Sequence, residues 1–148
     1  MAFPYIAENA VSRRRLETIV ESLTAAELAR TTEYGWTVSA LLAHLAFWDN
    51  RVLALLRRWK AAGVDESPVD SEAMNEALKP LCLAMDPRTA VEVCLAAAAA
   101  VDAQLEQVTP ELYAAIEASP THFRFNRGLH RNDHLDDIER LVGSGGRS

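Results

Sequence analysis

Residues 36–63 constrain the fold more than any other stretch. Thr37 is placed to cap a helix, no glycine or proline interrupts the residues after it, and Gly63 suits the left-handed conformation that ends one. At 100° per residue, Leu41, His44, Trp48, Leu55 and Trp59 fall within a narrow arc. A long helix with one apolar stripe has to cover that stripe with other helices. One imidazole, that of His44, lies on the stripe rather than on the wet side.

The rest of the chain is punctuated in the same way. An apolar stripe of Ile6, Ala10, Leu16, Ile19, Val20 and Leu23 predicts a helix from about Pro4 to Leu23. Thr24-Ala25-Ala26-Glu27 has the form of a capping box, and Thr31 to Gly35 reads as loop. The polar connection from Val64 to Asp70 is the longest loop and a candidate pocket lid. Asp70 caps a segment from Ser71 to about Met85, in which Pro80 is expected to kink or break the helix. Asp86-Pro87 and Thr109-Pro110 each pair a cap residue with proline at the first helical position. They start helices reaching about Val108 and Ala118. Ala96 to Ala100 offers small side chains that let a neighbouring helix come close. Ser119 to Phe125 reads as loop, and Asn126 is placed to cap the last helix. The expectation is an all-α bundle forming a single domain over residues 1–142, with a flexible tail over 143–148.

Composition agrees and excludes several classes. Glycine and proline number only 6 each in 148 residues. The net charge of -6 gives no electrostatic footprint for nucleic acid. Arg13-Arg14-Arg15 reads as a solvated helix face. The opening MAFPYIAENA has no basic region ahead of a long apolar core, and the apolar run Val93 to Val101 is too short to span a bilayer. A soluble cytoplasmic protein is expected, without nucleic acid or membrane partners. Cys82 and Cys94 form no CxxC pair and read as reduced, buried thiols.

The last helix carries the chemistry. In His130-Arg131-Asn132-Asp133-His134 the two histidines stand four apart and share a face, with Ile138 and Leu141 further along that side. Two imidazoles make a poor metal site; a third would hold an ion and leave one position open. His44 can supply it if the facing stripes of two bundle helices meet. Taken alone, His44 reads first as a hydrogen-bonded core residue. Imidazoles suit zinc, nickel, copper or ferrous iron. Asp133 and Asp137 are near enough to orient an imidazole, or are simply solvated acids. Metal affinity is expected to fall below about pH 6, as free imidazoles protonate. The zinc-protease motif is absent, because Arg131 stands where its glutamate would be. No GxSxG elbow or glycine-rich phosphate loop occurs.

The stretch Gly35-Trp36-Thr37-Val38-Ser39-Ala40-Leu41-Leu42-Ala43-His44-Leu45-Ala46-Phe47-Trp48 resembles the second-helix signature of the DinB/YfiT-like superfamily. Asn126 to Arg140, with His130 and His134, is similar to that family's closing motif, and Val69-Asp70 with Asn75 matches a further segment. The resemblance implies an up-down-down-up four-helix bundle binding a divalent metal, nickel or zinc, through His44, His130 and His134. It also implies kinship with mycothiol-dependent maleylpyruvate isomerases, with bacillithiol- or mycothiol-type S-transferases and with metal-dependent hydrolases, hence a low-molecular-weight thiol as cosubstrate. In those isomerases the middle ligand is a glutamate; His130 stands there in this chain and separates it from that specific activity.

Two functional classes follow. An enzyme would use the metal to act on a small electrophilic molecule, with Arg127 and Arg131 available to hold a carboxylate, Trp48 and Asn75 to line the pocket, and His122 to supply a proton or cover the site. A binding protein would sequester a small molecule or metal without turnover. A scaffold without metal is a third reading, and exposed apolar helix surface would favour a homodimer.

Overall fold

The protein is described by a computed structural model over residues 2–143; of the tail expected over 143–148, Gly143 is the last residue of a helix and 144–148 lie outside the described residues. Seven helices are described: α1 (Pro4–Ser22), α2 (Ala25–Leu28), α3 (Val38–Ala62), α4 (Ser71–Ala84), α5 (Pro87–Glu106), α6 (Pro110–Glu117) and α7 (Gly128–Gly143). Among the described residues there is no strand, only one isolated bridge between Thr31 and Thr37. The fold is an all-α bundle of four long helices. α3 packs along α5 and touches α7, α1 lies against α5 and α7, and α4 runs beside α3.

The ends of the helices follow the cap chemistry. The side chains of Thr37, Asp70, Asp86 and Thr109 each accept from the backbone N–H three residues on, and Thr24 and Glu27 form the reciprocal capping box. Gly63 ends α3 at φ 88°, a conformation that a Cβ would strain. Pro80 neither breaks nor ends α4, which runs on to Ala84. Both Pro80 and Glu76, whose carbonyl loses its helical partner there, are exposed, so water can take the missing donor's place. Asn126 sits ahead of α7 as expected, and its Oδ1 accepts from the Gly128 N–H at 2.8 Å. At Gly128 the chain passes close to α1: an added Cβ would meet Ser12 Cβ at 3.2 Å.

Two apolar layers fill the bundle. One joins Leu16 and Val20 of α1, Leu41, Leu42 and Leu45 of α3, Ala97 and Ala98 of α5, and Leu135 and Ile138 of α7. The other gathers Tyr5, Val52, Leu56, Trp59, Val101, Leu105 and Phe125. The small residues of α5 lie where α3 approaches, as their size allows. Cys94 is buried in the first layer and Cys82 under α4 against Ala40, Ala43 and Ala90, so both thiols serve packing.

Between the layers lies a charged one. Moving along α1 from Tyr5 to Leu16 the chain passes buried Asn9 and Ser12, and along α3 from Ala46 to Val52 it passes buried Asp49. α5 contributes Asp102, and the start of α7 and the residue before it contribute Arg131 and Arg127. Arg131, only 1% exposed, donates from its two terminal nitrogens to Asp102 at 2.8 and 3.1 Å, to Asp49 at 3.3 Å and to Ser12 Oγ at 3.2 Å. Arg127 Nε donates to Asp49 at 2.9 Å, and Asn9 bridges the Phe125 carbonyl and the Arg127 N–H. Desolvation works against the Arg131 charge, but the bonds and charges of Asp102 and Asp49 hold its pKa above the ordinary value. The Arg13–Arg15 cluster is also less solvated than expected. Arg15 bonds Asn132, Asp136 and Glu139 of α7, and Arg13 lies 3.8 Å from Asp102.

Candidate metal centre

The two halves of the site come from helices whose stripes were set independently. On α3, buried Leu41 and Leu45 turn His44 inward, leaving it 5% exposed. On α7, Leu135, Ile138 and Val142 are buried. Extended one turn back, their spacing lands on Arg131, so Arg131 heads the core stripe. His130 and His134 lie beside that stripe, on the side facing α3. Ile138 belongs to the core with Leu135 rather than to the histidine edge.

The three rings converge. His44 Nε2 and His130 Nε2 are 3.0 Å apart. Ring centroids stand 5.0 Å apart for His44 and His130, 4.9 Å for His44 and His134, and 4.9 Å for His130 and His134. Each ring offers one nitrogen to a common point, the three lying within 4.8 Å of one another. Trp36 and Trp48 pack edge-on against His44 at 5.2 and 6.5 Å.

Burial settles the protonation state. Desolvation, helped by the His134 charge, lowers His44 to about 4. Desolvation and the charges of His134, His44, Arg127 and Arg124 lower His130 to about 2. His134 is also lowered by desolvation, against the upward pull of Asp137 and Asp133. All three are therefore neutral at physiological pH, the form in which imidazole ligates a metal. Burial of the metal-free rings thus works against the protonation on which the expected weakening below pH 6 depends.

The donor set fits a divalent transition ion. A tetrahedral ion with metal–nitrogen bonds of about 2.0–2.1 Å would set its ligand nitrogens roughly 3.3 Å apart, close to the His44–His130 separation of 3.0 Å. His44 meets His130 through Nε2, and the Nδ1 atoms of His44 and His134 are buried without a hydrogen-bond partner. Asp137 is the nearest acid, its Oδ2 3.8 Å from His134 Nδ1, and it also pairs with Arg140. Asp133 is exposed and acts on His134 only through its charge.

Two cavities meet at the triad and share His44, His130 and Asn75. The first, of 570 Å³, is lined by Trp36, Tyr34, His134 and Asp137 among others. The second, of 440 Å³, lies under the 64–70 connection and the 119–125 segment. Trp48 and Asn75 line it, joined by a hydrogen bond from the indole N–H to Asn75 Oδ1 at 3.0 Å. Arg127 reaches the second cavity, and exposed His122 sits on its rim at φ 53°. Arg131 lines neither cavity. Its expected hold on a substrate carboxylate is corrected, since Asp49 and Asp102 of the chain itself occupy its guanidinium. Those two acids were missed in the sequence. Asp102 could have been noticed as the lone acid between Val93 and Leu105, inside an alanine-rich run.

A family model described as the DinB superfamily matches residues 9–136, a span that takes in all three histidines. The chain belongs to the DinB superfamily. No curated protein and no solved structure matches it. This DinB-like bundle thus carries a three-histidine cluster that could hold a divalent metal. Among the described residues no helix is long and apolar enough to cross a membrane.

Proposed function

We propose that the protein is a metal-dependent enzyme acting on a small electrophilic molecule, as a thiol S-transferase, isomerase or hydrolase. His44, His130 and His134 hold the ion, nickel or zinc, and a low-molecular-weight thiol of the mycothiol or bacillithiol kind serves as cosubstrate. The observation that carries this reading is the meeting of three neutral imidazoles on a wall common to two cavities. A closed structural site would have used up its coordination on protein ligands; three ligands beside open space leave a position for a small molecule.

Bound there, a divalent ion would supply Lewis acidity, lowering the pKa of a coordinated thiol or water so that a nucleophile exists at neutral pH. The chain's own residues do the rest. Trp36 and Trp48 keep the His44 ring dry on two sides, and Asn75 fixes the Trp48 indole. Arg15, bonded to Asn132, Asp136 and Glu139, ties the ligand-bearing α7 to α1.

The test combines elemental analysis with mass spectrometry. Purified protein is expected to carry about one transition ion per chain, and His130→Ala and His134→Ala to carry none while remaining folded. Incubation with an electrophile and a panel of thiols is expected to give a conjugate only with metal-loaded protein. Absence of stoichiometric metal would overturn the reading, and a ligand retained without change would replace catalysis by binding.

A further inference from the structure

The two cavities beside the triad differ in charge. Glu33, Asp137 and Arg140 line the first, an acid-containing mixture. Arg51, Arg124 and Arg127 line the second, and no carboxylate does. Three guanidinium groups around 440 Å³ are unusual in a chain whose net charge is -6.

Their bonding leaves capacity facing the cavity. Arg51 donates through one terminal nitrogen to the Ser67 carbonyl at 3.1 Å and to Ser67 Oγ at 2.7 Å, both neutral acceptors. Arg127 spends its Nε on Asp49, and its terminal nitrogens make no hydrogen bond among the described residues. Arg124 makes neither hydrogen bond nor ion pair among the described residues. Desolvation and the nearby charges of Arg127 and Arg58 hold the Arg51 pKa below its ordinary value, the mark of a cation short of an anion. Arginine forks match planar carboxylate and tetrahedral phosphate oxygens, and the cavity has the size of a small-molecule site.

We propose that this second cavity is an oxyanion subsite, in which Arg51, Arg124 and Arg127 hold the carboxylate or phosphate of a small organic substrate whose other end faces His44 and His130. The placement of that other end rests on the metal-dependent reading above; the anion site itself does not. Arg51 also couples the site to its cover, because the Ser67 it bonds belongs to the connection over the cavity.

The experiment is a chemical-shift titration of metal-stripped protein at pH 7.5 and low salt, following the Trp48 indole N–H and the arginine Nε–H signals. Succinate, methyl phosphate and the neutral diamide succinamide are the probes. At least one of the two anions is expected to bind saturably and to weaken as sodium chloride rises, while succinamide does not bind; the preferred anion names the head group. R51Q and R124Q, both away from the Asp49 pair, are each expected to weaken it at least fivefold with unchanged thermal midpoints, and if one misfolds the other decides. Failure of both anions to saturate, equal binding of succinamide, or wild-type affinity in the folded variants would overturn the proposal. Because the titration is run without metal, it stands or falls separately from the elemental analysis.

Discussion

Residues 130 and 131 are neighbours on α7 and face opposite fates. His130 joins His44 and His134 in a cluster beside two cavities, in which the Nδ1 atoms of His44 and His134 lack partners. Arg131 joins Asp49, Asp102 and Ser12 in a layer where both terminal nitrogens are bonded, leaving only its Nε without a partner. α3 repeats the contrast, with His44 in the first group and Asp49 in the second. Burial alone therefore does not mark a functional residue. What distinguishes the groups is whether the protein completes the bonding itself. The Arg131–Asp49–Asp102 part of the charged layer is paired within the protein and lines neither cavity, so it reads as architecture, whereas the histidine cluster borders open space.

The contrast breaks most sharply at Arg131. Arg131→Met would leave Asp49 and Asp102 buried with too little positive charge, and a loss of about 3–5 kcal/mol is expected in urea unfolding. Adding Asp102→Leu to that variant, with Asp49 kept as the partner of buried Arg127, is expected to recover part of the loss, because one buried carboxylate fewer then lacks a cation. A loss below ~1 kcal/mol for the single variant would refute the architectural assignment.

Acid separates the two regions next. His44 and His130 are held at about 4 and about 2 when folded, while the unfolded chain protonates near 6.5. Below 6.5 the unfolded state binds more protons, so the stability that neutral burial confers is intact above 6.5. It is lost as pH falls toward 4 for His44, and on toward 2 for His130. Metal-free protein is expected to lose on the order of 4 kcal/mol between pH 7 and pH 5, about half of it from each histidine, as read by denaturant midpoints. Changing both residues to glutamine should flatten that slope; an unchanged slope would show that other groups set it.

The smallest effect sharpens the contrast from the other side. In metal-free protein at pH 7.5, His130→Ala is expected to change unfolding free energy by no more than about 1 kcal/mol, since it removes a desolvated ring from the edge of a cavity. A loss comparable to that of Arg131→Met would make the histidine cluster structural as well.

Much of this was legible in the chain itself. The capping residues, the prolines after Asp86 and Thr109, and Gly63 act within one or two turns, so their meaning survives in isolation. The order of the histidines was legible for the same reason. Pro80 was misleading because its cost depends on whether water can reach the freed carbonyl, a matter of where α4 lies. Arg131 was misleading because its neighbours in sequence, two histidines and two polar residues, suggested a wet face. The spacing to Leu135, Ile138 and Val142 carried the opposite message.

By itself the amino-acid order determined the helices, their ends and the faces on which imidazoles stand, because each of these is decided by interactions three or four residues apart. Only the tertiary structure decided that His44 meets His130 and His134, that Asp49 and Asp102 neutralise Arg131, and that the arginines gather on one side of the triad. Those outcomes depend on how far each helix is rotated and offset against its neighbours, which the whole packed core fixes together.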